Sequence, residues 1–255
     1  MSTDPFFYAA AIPAVIIMGL AKGGFSGISI LSVPLLALVI SPVEAASITL
    51  PILIVQDVVS VWVFRRAWDG HSLVVLLPSA LAGIILGYLL AAYVSPSAVE
   101  LAIGVISVVF GGRWLWIHWS GRTKPHSSSD LAGVAWGTVS GFTSQIAHAG
   151  GVPFQLYMLP KRLERDVLIG TSSLYFAAVN WMKVPAYIAL GQFTRANLAT
   201  SIVLFPLAIV STIGGAWAIR RISGERIYVM FYVLLVLVGL KLTWDGARAL
   251  SGQIS

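Results

Sequence analysis

Long apolar segments separated by short polar ones occupy nearly the whole chain. Six of these segments have the length of a membrane-spanning helix, which needs about 20 mostly apolar residues. None of them alternates apolar and polar residues with a period of two, as the strands of a membrane β-barrel do. The pattern therefore predicts an all-α polytopic membrane protein. The six predicted spans are residues 45–64, 72–94, 97–119, 166–190, 196–219 and 226–250.

Two further apolar stretches are too long to be single spans. Residues 5–43 carry Lys22 as their only charge, and residues 131–160 carry none. As straight helices they would be about 58 and 45 Å long, against a hydrocarbon core of about 30 Å. Each contains a glycine pair near its middle, Gly23-Gly24 in the first and Gly150-Gly151 in the second. Because glycine interrupts helices, both stretches are predicted to be broken hairpins of helix, turn and helix.

The composition removes most other classes of protein. Charged residues make up 10% of the chain and apolar residues 58%, whereas charged residues make up about 25% of a typical soluble domain. Such a chain cannot cover a soluble core with charge, which excludes a soluble enzyme, a nucleic-acid-binding protein and a disordered tail. The absence of cysteine excludes disulfides and thiolate metal sites, and the four histidines show no metal-ligand spacing.

The basic residues fall in short segments between the apolar ones. In inner membrane proteins, short loops rich in Lys and Arg face the cytoplasm. On that rule the linker at residues 120–130 is cytoplasmic, and the turns at Ser41-Pro42 and Ser95-Pro96 are external. Both termini are then external, and the protein lies in the bacterial inner membrane. The cations that set this orientation are Arg65, Arg66, Arg113, Arg122, Lys124, Lys161, Arg162, Arg165, Arg220, Arg221 and Arg226.

Each half of the chain contains one broken hairpin followed by three spans. The first repeat is predicted as residues 1–119 and the second as residues 131–255. Because each repeat has an odd number of spans, the second is inverted with respect to the first. Inverted repeats with paired broken helices are typical of secondary transporters, whose substrate site lies where the breaks meet.

Three stretches of the sequence resemble a known family of transporters. They are Gly19 to Leu36 with its Val33-Pro34-Leu35-Leu36 segment, Gly137 to Leu159, and Gly170-Thr171-Ser172 followed by Asn180 and Lys183. Their order and duplication resemble the sulfite and organosulfonate exporters of the TauE/SafE type, also called the toluene-sulfonate uptake permease family. The resemblance covers nearly the whole chain. It implies membrane transport of small sulfur oxyanions or sulfonates, often outward.

Polar residues at the two breaks are candidates for binding such an anion. Lys22 precedes the first glycine pair, where the next helix would present free backbone N–H groups and the positive end of its dipole. Its alternative role is that of a turn lysine reaching the cytoplasmic surface. His148 precedes the second glycine pair, where it could bind an oxyanion, carry a proton or serve only as a hydrogen-bonded turn residue.

Charged residues inside the predicted spans form a second group of candidates, because charges within a membrane usually face a cavity or a partner. Asp57 is expected to pair with Lys22 or Lys183, or to serve in proton coupling. Lys183 is expected to form an ion pair or to contact substrate, and Asn180 shares its helix face. The candidate substrate-binding residues are Lys22, Gly23, Gly24, Ser26, Gln145, His148, Gly150, Gly151, Asn180 and Lys183, with Asp57 as the coupling or ion-pair residue.

The sequence thus predicts a secondary transporter that exports a small anion by alternating access, with its site between the two helix breaks. Sulfite or an organosulfonate is the substrate that the resemblance favours. An uncoupled anion channel and a non-transporting membrane assembly factor are the alternatives, and the latter would have hairpin tips packed by side chains, with no cavity. The predicted partners are the anion and membrane lipid, without enzyme activity, cofactor, metal or nucleic acid. Protons or another coupling ion, and a homodimer, are left open.

Cysteine labelling tests the predicted topology, since the chain has no cysteine of its own. The variants are Ser41→Cys in the predicted external turn and Ser127→Cys in the predicted cytoplasmic linker. A membrane-impermeant thiol reagent added to intact cells should label Ser41→Cys, and should label Ser127→Cys only after the membrane is opened. Labelling of both positions from the same face would contradict the assignment of the loops.

Overall fold

In the residues that the computed structural model describes, all regular structure is helical, which confirms the predicted all-α class. These residues are 5–24, 28–91, 93, 95–120, 129–218 and 225–252, with the backbone alone in 225–228, and most of the predicted linker 120–130 lies outside them. The α-helices are α1 (Pro5–Lys22), α2 (Ser32–Ala37), α3 (Pro42–Phe64), α4 (Gly70–Ala91), α5 (Pro96–Ser120), α6 (Asp130–Ala147), α7 (Gly151–Met158), α8 (Arg165–Ala189), α9 (Arg195–Ala218) and α10 (Glu225–Gly252).

Six helices in the described ranges are long and apolar enough to cross a membrane, namely α1, α3, α4, α5, α9 and α10. This confirms the prediction of a multi-pass membrane protein. The set differs from the predicted spans in one member, because α8, predicted as the span 166–190, is absent from it and α1 is present. Polar side chains of α8, including Ser173, Asn180 and Lys183, are buried inside the protein. One face of α8 is thus polar and buried, whereas Trp181 and Ile188 on another face are exposed.

The first broken stretch consists of a long arm and a short one. The long arm, α1, ends at Lys22, and the chain turns at Gly24, whose φ of 130° is rarely open to residues with a side chain. A 3₁₀ turn over Ile28–Leu31 then leads directly into α2. Residues 28–37 together extend about 15 Å at the α-helical rise, which is half of the hydrocarbon core. The short arm is therefore a half-helix.

The second broken stretch has the same long and short arms. Its long arm, α6, ends at Ala147, and His148 takes the left-handed conformation, with a φ of 50°. Glycine or asparagine usually occupies that position at a helix end. The N–H of His148 donates to the carbonyl oxygen of Ser144, 3.1 Å away, and closes the last turn. The short arm, α7, begins at Gly151 and is eight residues long, or about 12 Å.

Glycines set the distance between three pairs of helices. A Cβ placed on Gly83 of α4 would lie 2.0 Å from a backbone oxygen of α6. One placed on Gly104 of α5 would lie 2.4 Å from a backbone nitrogen of α10, and one on Gly215 of α9 would lie 2.8 Å from a Cα atom of α1. Small residues let membrane helices approach until their backbones touch, which increases their van der Waals contact. The pairs α4–α6, α5–α10 and α1–α9 are therefore tightly packed.

The contact between α3 and α8 is polar at one end and apolar at the other. The hydroxyl oxygens of Ser60 and Ser173 are 2.6 Å apart, whereas Leu50 and Tyr187 share a hydrophobic cluster. Residues early in α3 thus face residues late in α8, so the two helices run antiparallel. Hydroxyl groups meet within this interface, and Gly170 of α8 closes its end, where a Cβ would lie 2.9 Å from the carbonyl oxygen of Phe64.

The loop between α3 and α4 is attached to α8 and to the end of the second hairpin. The N–H of Asp69 donates to Thr171 Oγ1 at 2.8 Å, and its carboxylate accepts from Ser72 Oγ. Lys161 Nζ donates to Ser72 Oγ at 2.8 Å. Partial burial alone would raise the pKa of Asp69, but the hydrogen bonds from Ser72 and the charge of Lys161 lower it. The carboxyl group is therefore ionised at neutral pH and holds the loop through charge-assisted hydrogen bonds.

Two adjacent glycines in α9 test the tight packing against α1. Gly215→Ala should destabilise the protein by about 1–3 kcal/mol, because the new methyl group forces two backbones apart. Gly214→Ala is the matched control, since no described atom lies within 4 Å of a Cβ placed there. It should be neutral or stabilise the helix by up to about 1 kcal/mol. Thermal unfolding in detergent measures both, and equal effects would contradict a backbone contact at Gly215.

Candidate functional site

A small cavity lies where the two hairpins meet α3 and α8. Its volume is about 50 Å³, on a scale where one water molecule needs about 10–15 Å³, so it has room for a few waters. Apolar walls come from residues such as Phe154 and Phe176. The polar residues that line it are Lys22, Ser29, Ser32, Thr49, Ser144, His148, Gln155, Ser172, Ser173 and Asn180.

An ion pair joins the end of α1 to α3 at one side of the cavity. Lys22 Nζ pairs with Asp57 Oδ1, and Asn180 Nδ2 donates to Asp57 Oδ2 at 2.6 Å. Both carboxylate oxygens are therefore satisfied, and Asp57 is only 2% exposed. The side chain of Lys22 is 10% exposed and also lies over the ring of Phe176. Lys22 thus points into the protein and not toward a membrane surface.

A second buried lysine lies at the other side of the cavity. Lys183 of α8 is fully buried, and its Nζ lies 2.6 Å from His148 Nδ1 and 3.1 Å from Ser144 Oγ. Both of these partners line the cavity. Among the described residues, no carboxylate forms an ion pair with Lys183.

The network holds two lysines and one aspartate. Lys22 and Asp57 neutralise each other, and the partners of Lys183 Nζ among the described residues are neutral. Removing a charge from water costs several kcal/mol unless an opposite charge compensates it. The network is therefore electrostatically suited to receive an anion. Asn180 and Lys183, three residues apart on α8, connect the two sides of the network.

Two hydroxyl groups on the cavity wall lack a hydrogen-bond partner among the described residues. They are Ser32 Oγ at the start of α2 and Thr49 Oγ1 in α3, and both residues are buried. A buried hydroxyl without a partner costs about 1–3 kcal/mol. Two such groups on one cavity wall can donate hydrogen bonds to water or to the oxygen atoms of a ligand.

The short arms of the two hairpins also meet at the cavity. Gly151, the first residue of α7, lines it, and a Cβ there would lie 3.8 Å from Ser29 Oγ in the 3₁₀ turn before α2. The first N–H groups of a helix have no partner within the helix, and its dipole is positive at that end. The start of α7 therefore adds to the positive potential of the cavity.

The two breaks approach the cavity from opposite sides. The carbonyl of Lys22 accepts from Ser60 Oγ, one turn before the C-terminal end of α3. His148 Nε2 lies 3.1 Å from the carbonyl oxygen of Ala46, close to the N-terminal end of the same helix. Lys22 and His148, the last residues before the two glycine pairs, therefore lie toward opposite ends of α3, and both line the cavity.

Four residues that the sequence marked as candidates lie together on the cavity wall: Lys22, His148, Gly151 and Asn180. Lys183 and Asp57 lie directly behind it, bonded to His148 and to Lys22.

The remaining candidates lie elsewhere. Gly23 packs against the backbone of Gly215, Gly24 forms the turn, and Gly150 packs against Ser140, so these glycines serve chain geometry. Gln145 faces Gly87 of α4. Ser26 lies outside the described residues.

Sequence analysis did not select Ser32 and Thr49. Serine and threonine in membrane helices more often make helix–helix contacts, and nothing in the sequence distinguishes these two from such residues. A signal is available only for Ser32, which lies on the short arm directly before Val33-Pro34.

A multi-pass helical protein with a small, cation-bearing cavity at its centre belongs to the class of membrane transport proteins. A family model described as Sulfite exporter TauE/SafE matches residues 11–242. The chain therefore belongs to the TauE/SafE sulfite exporter family, as the sequence resemblance predicted. Membership makes it a membrane transporter for sulfur anions. Among curated proteins and among solved structures, none matches the chain.

The ion pair of Lys22 and Asp57 can be tested by removing its charges singly and together. Lys22→Met leaves a buried carboxylate without its cation and should destabilise the protein by about 3–5 kcal/mol. The double variant Lys22→Met/Asp57→Asn should recover most of that loss, because an amide at position 57 needs no counter-charge. Thermal unfolding in detergent measures the difference. Equal losses in the single and double variants would show that the pair is not a closed unit.

Proposed function

We propose that the protein is a secondary transporter that moves sulfite by alternating access, with the anion bound in the cavity between the two helix breaks. The observation that carries this proposal is the buried side chain of Lys183, which has no carboxylate partner among the described residues, beside two unpartnered hydroxyls. Family membership supports the same class of substrate. Export, cytoplasmic exposure of the linker 120–130 and external termini belong to the proposal as well.

The electrostatics of the cavity support an anion over a neutral or cationic substrate. A univalent anion would cancel the excess charge left by Lys183, whereas a cation would be repelled by it. Ser32, Thr49 and the start of α7 would donate hydrogen bonds to the anion's oxygens. Charge-assisted hydrogen bonds of this kind are roughly twice as strong as neutral ones.

The size of the cavity supports an inorganic oxyanion. A volume that admits only a few water molecules suits sulfite better than an organosulfonate with a large hydrocarbon group. Among the two substrates that the sequence favours, sulfite is therefore the one proposed.

The contacts between helices support two inverted repeats, residues 1–119 and 131–255, as the basis of alternating access. In the proposed correspondence α1, α2, α3, α4 and α5 match α6, α7, α8, α9 and α10. When each helix is replaced by its counterpart in the other half, the α4–α6 contact becomes the α9–α1 contact, which is also present. The α3–α8 and α5–α10 contacts are each converted into themselves. The breaks at opposite ends of α3 agree with the same inversion, which exchanges the two membrane faces.

The surroundings of the cavity favour a transporter over the two alternatives. Hydrogen bonds from His148 to Ala46 O and from Tyr187 to Gln145 O separate the cavity from the cleft lined by α3, α4 and α5. A channel needs a continuous wet path, which these contacts interrupt. An assembly factor was expected to have side chains filling the space between its hairpin tips, and the cavity argues against it.

Flux measurements in proteoliposomes test this function. Wild-type protein should transport sulfite with saturation and counterflow, in a panel with sulfate, an organosulfonate and a carboxylate. Lys183→Met should reduce sulfite flux about 10- to 100-fold, since a hydrogen bond to a charged group contributes about 1.5–3 kcal/mol. The matched control is Lys241→Met, because Lys241 is an exposed lysine paired with Asp245 at 2.6 Å on α10. It should retain wild-type flux.

The outcomes separate the alternatives. Undiminished sulfite flux in Lys183→Met would show that transport does not need the charge of Lys183. Flux without saturation or counterflow would favour a channel. The folded state of Lys183→Met is checked by thermal unfolding. In the absence of anions this variant should be at least as stable as the wild type, because it removes an uncompensated buried charge.

A further inference from the structure

The hydrogen bonds around His148 fix its protonation state in the absence of an anion. The carbonyl oxygen of Ala46 can only accept a hydrogen bond, so His148 Nε2, 3.1 Å away, carries a proton and donates it. The ammonium group of Lys183 can only donate, so Nδ1, 2.6 Å away, must be unprotonated and accept. His148 is therefore a neutral imidazole, held between a cation and a carbonyl.

This arrangement makes proton binding and anion binding depend on each other. A second proton on His148 Nδ1 would occupy the lone pair that accepts from Lys183, so that hydrogen bond would break. Two adjacent buried cations would then need a new acceptor and a compensating charge. A divalent anion in the cavity, which His148 lines, supplies both.

We infer that His148 and Lys183 form the proton-coupling site of the transporter, taking up about one proton with each divalent anion. The inference rests on the proposed function and adds its coupling ion. Without the proton, the network of Lys22, Asp57 and Lys183 offers one excess positive charge, which matches a univalent anion. With His148 protonated it offers two, which matches a sulfite dianion.

The proton and the hydrogen bonds balance as follows. A proton from water binds to His148 Nδ1, and the hydrogen bond from Lys183 Nζ to Nδ1 breaks. Nδ1–H and Nζ–H then donate to the anion, while Nε2–H stays on the carbonyl of Ala46. When the anion leaves on the other side, Nδ1 returns its proton to water and accepts from Lys183 again.

Other titratable groups face this pair from the neighbouring helices. From α8, Tyr187 places its hydroxyl oxygen 3.4 Å from His148 Nε2. From α1 and α3, Lys22 and Asp57 close into their own ion pair, whose two charges cancel. The described residues of α2 and α7 that line the cavity carry no titratable side chain. Among these groups, His148 is the one that lines the cavity and whose free ring nitrogen can take a further proton beside Lys183.

Calorimetric titration of the purified protein with sulfite tests the inference. It is run at an alkaline pH where sulfite is divalent, in two buffers with different enthalpies of ionisation, which gives the number of protons taken up. Wild-type protein should take up about one proton per sulfite, and its affinity should fall toward tenfold per pH unit as the pH rises. Sulfate, which stays divalent, serves as a second titrant because it carries no exchangeable proton of its own.

The variant His148→Asn removes the titrating group and keeps an acceptor for Lys183. Asparagine tolerates the left-handed backbone conformation found at this position. Proton uptake should be lost in this variant, and the pH dependence of sulfite affinity should flatten. His148→Gln is a second variant with the same expectation. His71→Asn is the matched control, because His71 is an exposed histidine bonded to Asp130, and it should behave like the wild type.

The outcomes keep this inference separate from the proposed function. Sulfite binding by the wild type without proton uptake would overturn the coupling and leave the transporter intact. Full proton uptake in both His148 variants would overturn the assignment of the proton to His148. Failure of the wild type to bind any anion would overturn the proposed function, and this inference with it.

Discussion

The structure depends on one constraint, that polar groups inside a membrane must be satisfied by the protein itself. Non-helical backbone in the hydrocarbon region is tolerated only where protein or a water-filled cavity surrounds it. The described residues of both breaks are packed against other parts of the protein. The turn after α1 packs against α9, and the turn after α6 is closed by backbone hydrogen bonds and by His148. The ends of the interrupted helices face the interior of the protein, and the cavity lies between them, α3 and α8.

Two kinds of helix contact divide the molecule into parts with different mechanical properties. The pairs closed by glycine are packed backbone to backbone, and such contacts resist sliding because any displacement brings atoms into collision. The α3–α8 contact combines both kinds. Hydroxyl, amide and charged side chains meet beside the cavity, where hydrogen bonds can exchange partners. At the end of α3, a Cβ on Gly170 of α8 would lie 2.9 Å from the carbonyl oxygen of Phe64, so the backbones touch there.

Much of the fold was predictable because helices that cross a membrane need long apolar segments, which are easily recognised in the sequence. Hydropathy and length identified the helices, and the glycine pairs identified the breaks. The helix predicted at residues 166–190 is α8 (Arg165–Ala189), which is less apolar than the six long helices because one of its faces carries buried polar side chains. The half-length of α2 and α7 could not be read from sequence, since it is set by packing against the other arm.

The site was predictable where a residue type is rare in a membrane and ambiguous where it is common. Lys22, Asp57, His148 and Lys183 stand out because charged and titratable groups are rare there and need partners. Ser144 faces the cavity and Gln145 faces α4, although they are neighbours, since successive helix residues differ by about 100°.

For glycines too, the sequence does not tell which of two neighbours faces the cavity. Gly150 and Gly151 are adjacent and differ in the same way, the first packing against α6 and the second lining the cavity. Which of two adjacent residues faces the cavity is known only once the packing of the helices is known.

Because Lys183 is buried without a carboxylate partner among the described residues, anions that bind beside it can be found by thermal unfolding. A ligand that binds only the folded state raises its unfolding free energy by RT ln(1 + [L]/Kd). An anion that binds beside Lys183 should therefore raise the melting temperature, and at equal concentrations the anion with the lowest Kd should raise it most. Heating the detergent-solubilised protein with candidate salts ranks them by affinity, and it requires neither vesicles nor knowledge of the direction of transport.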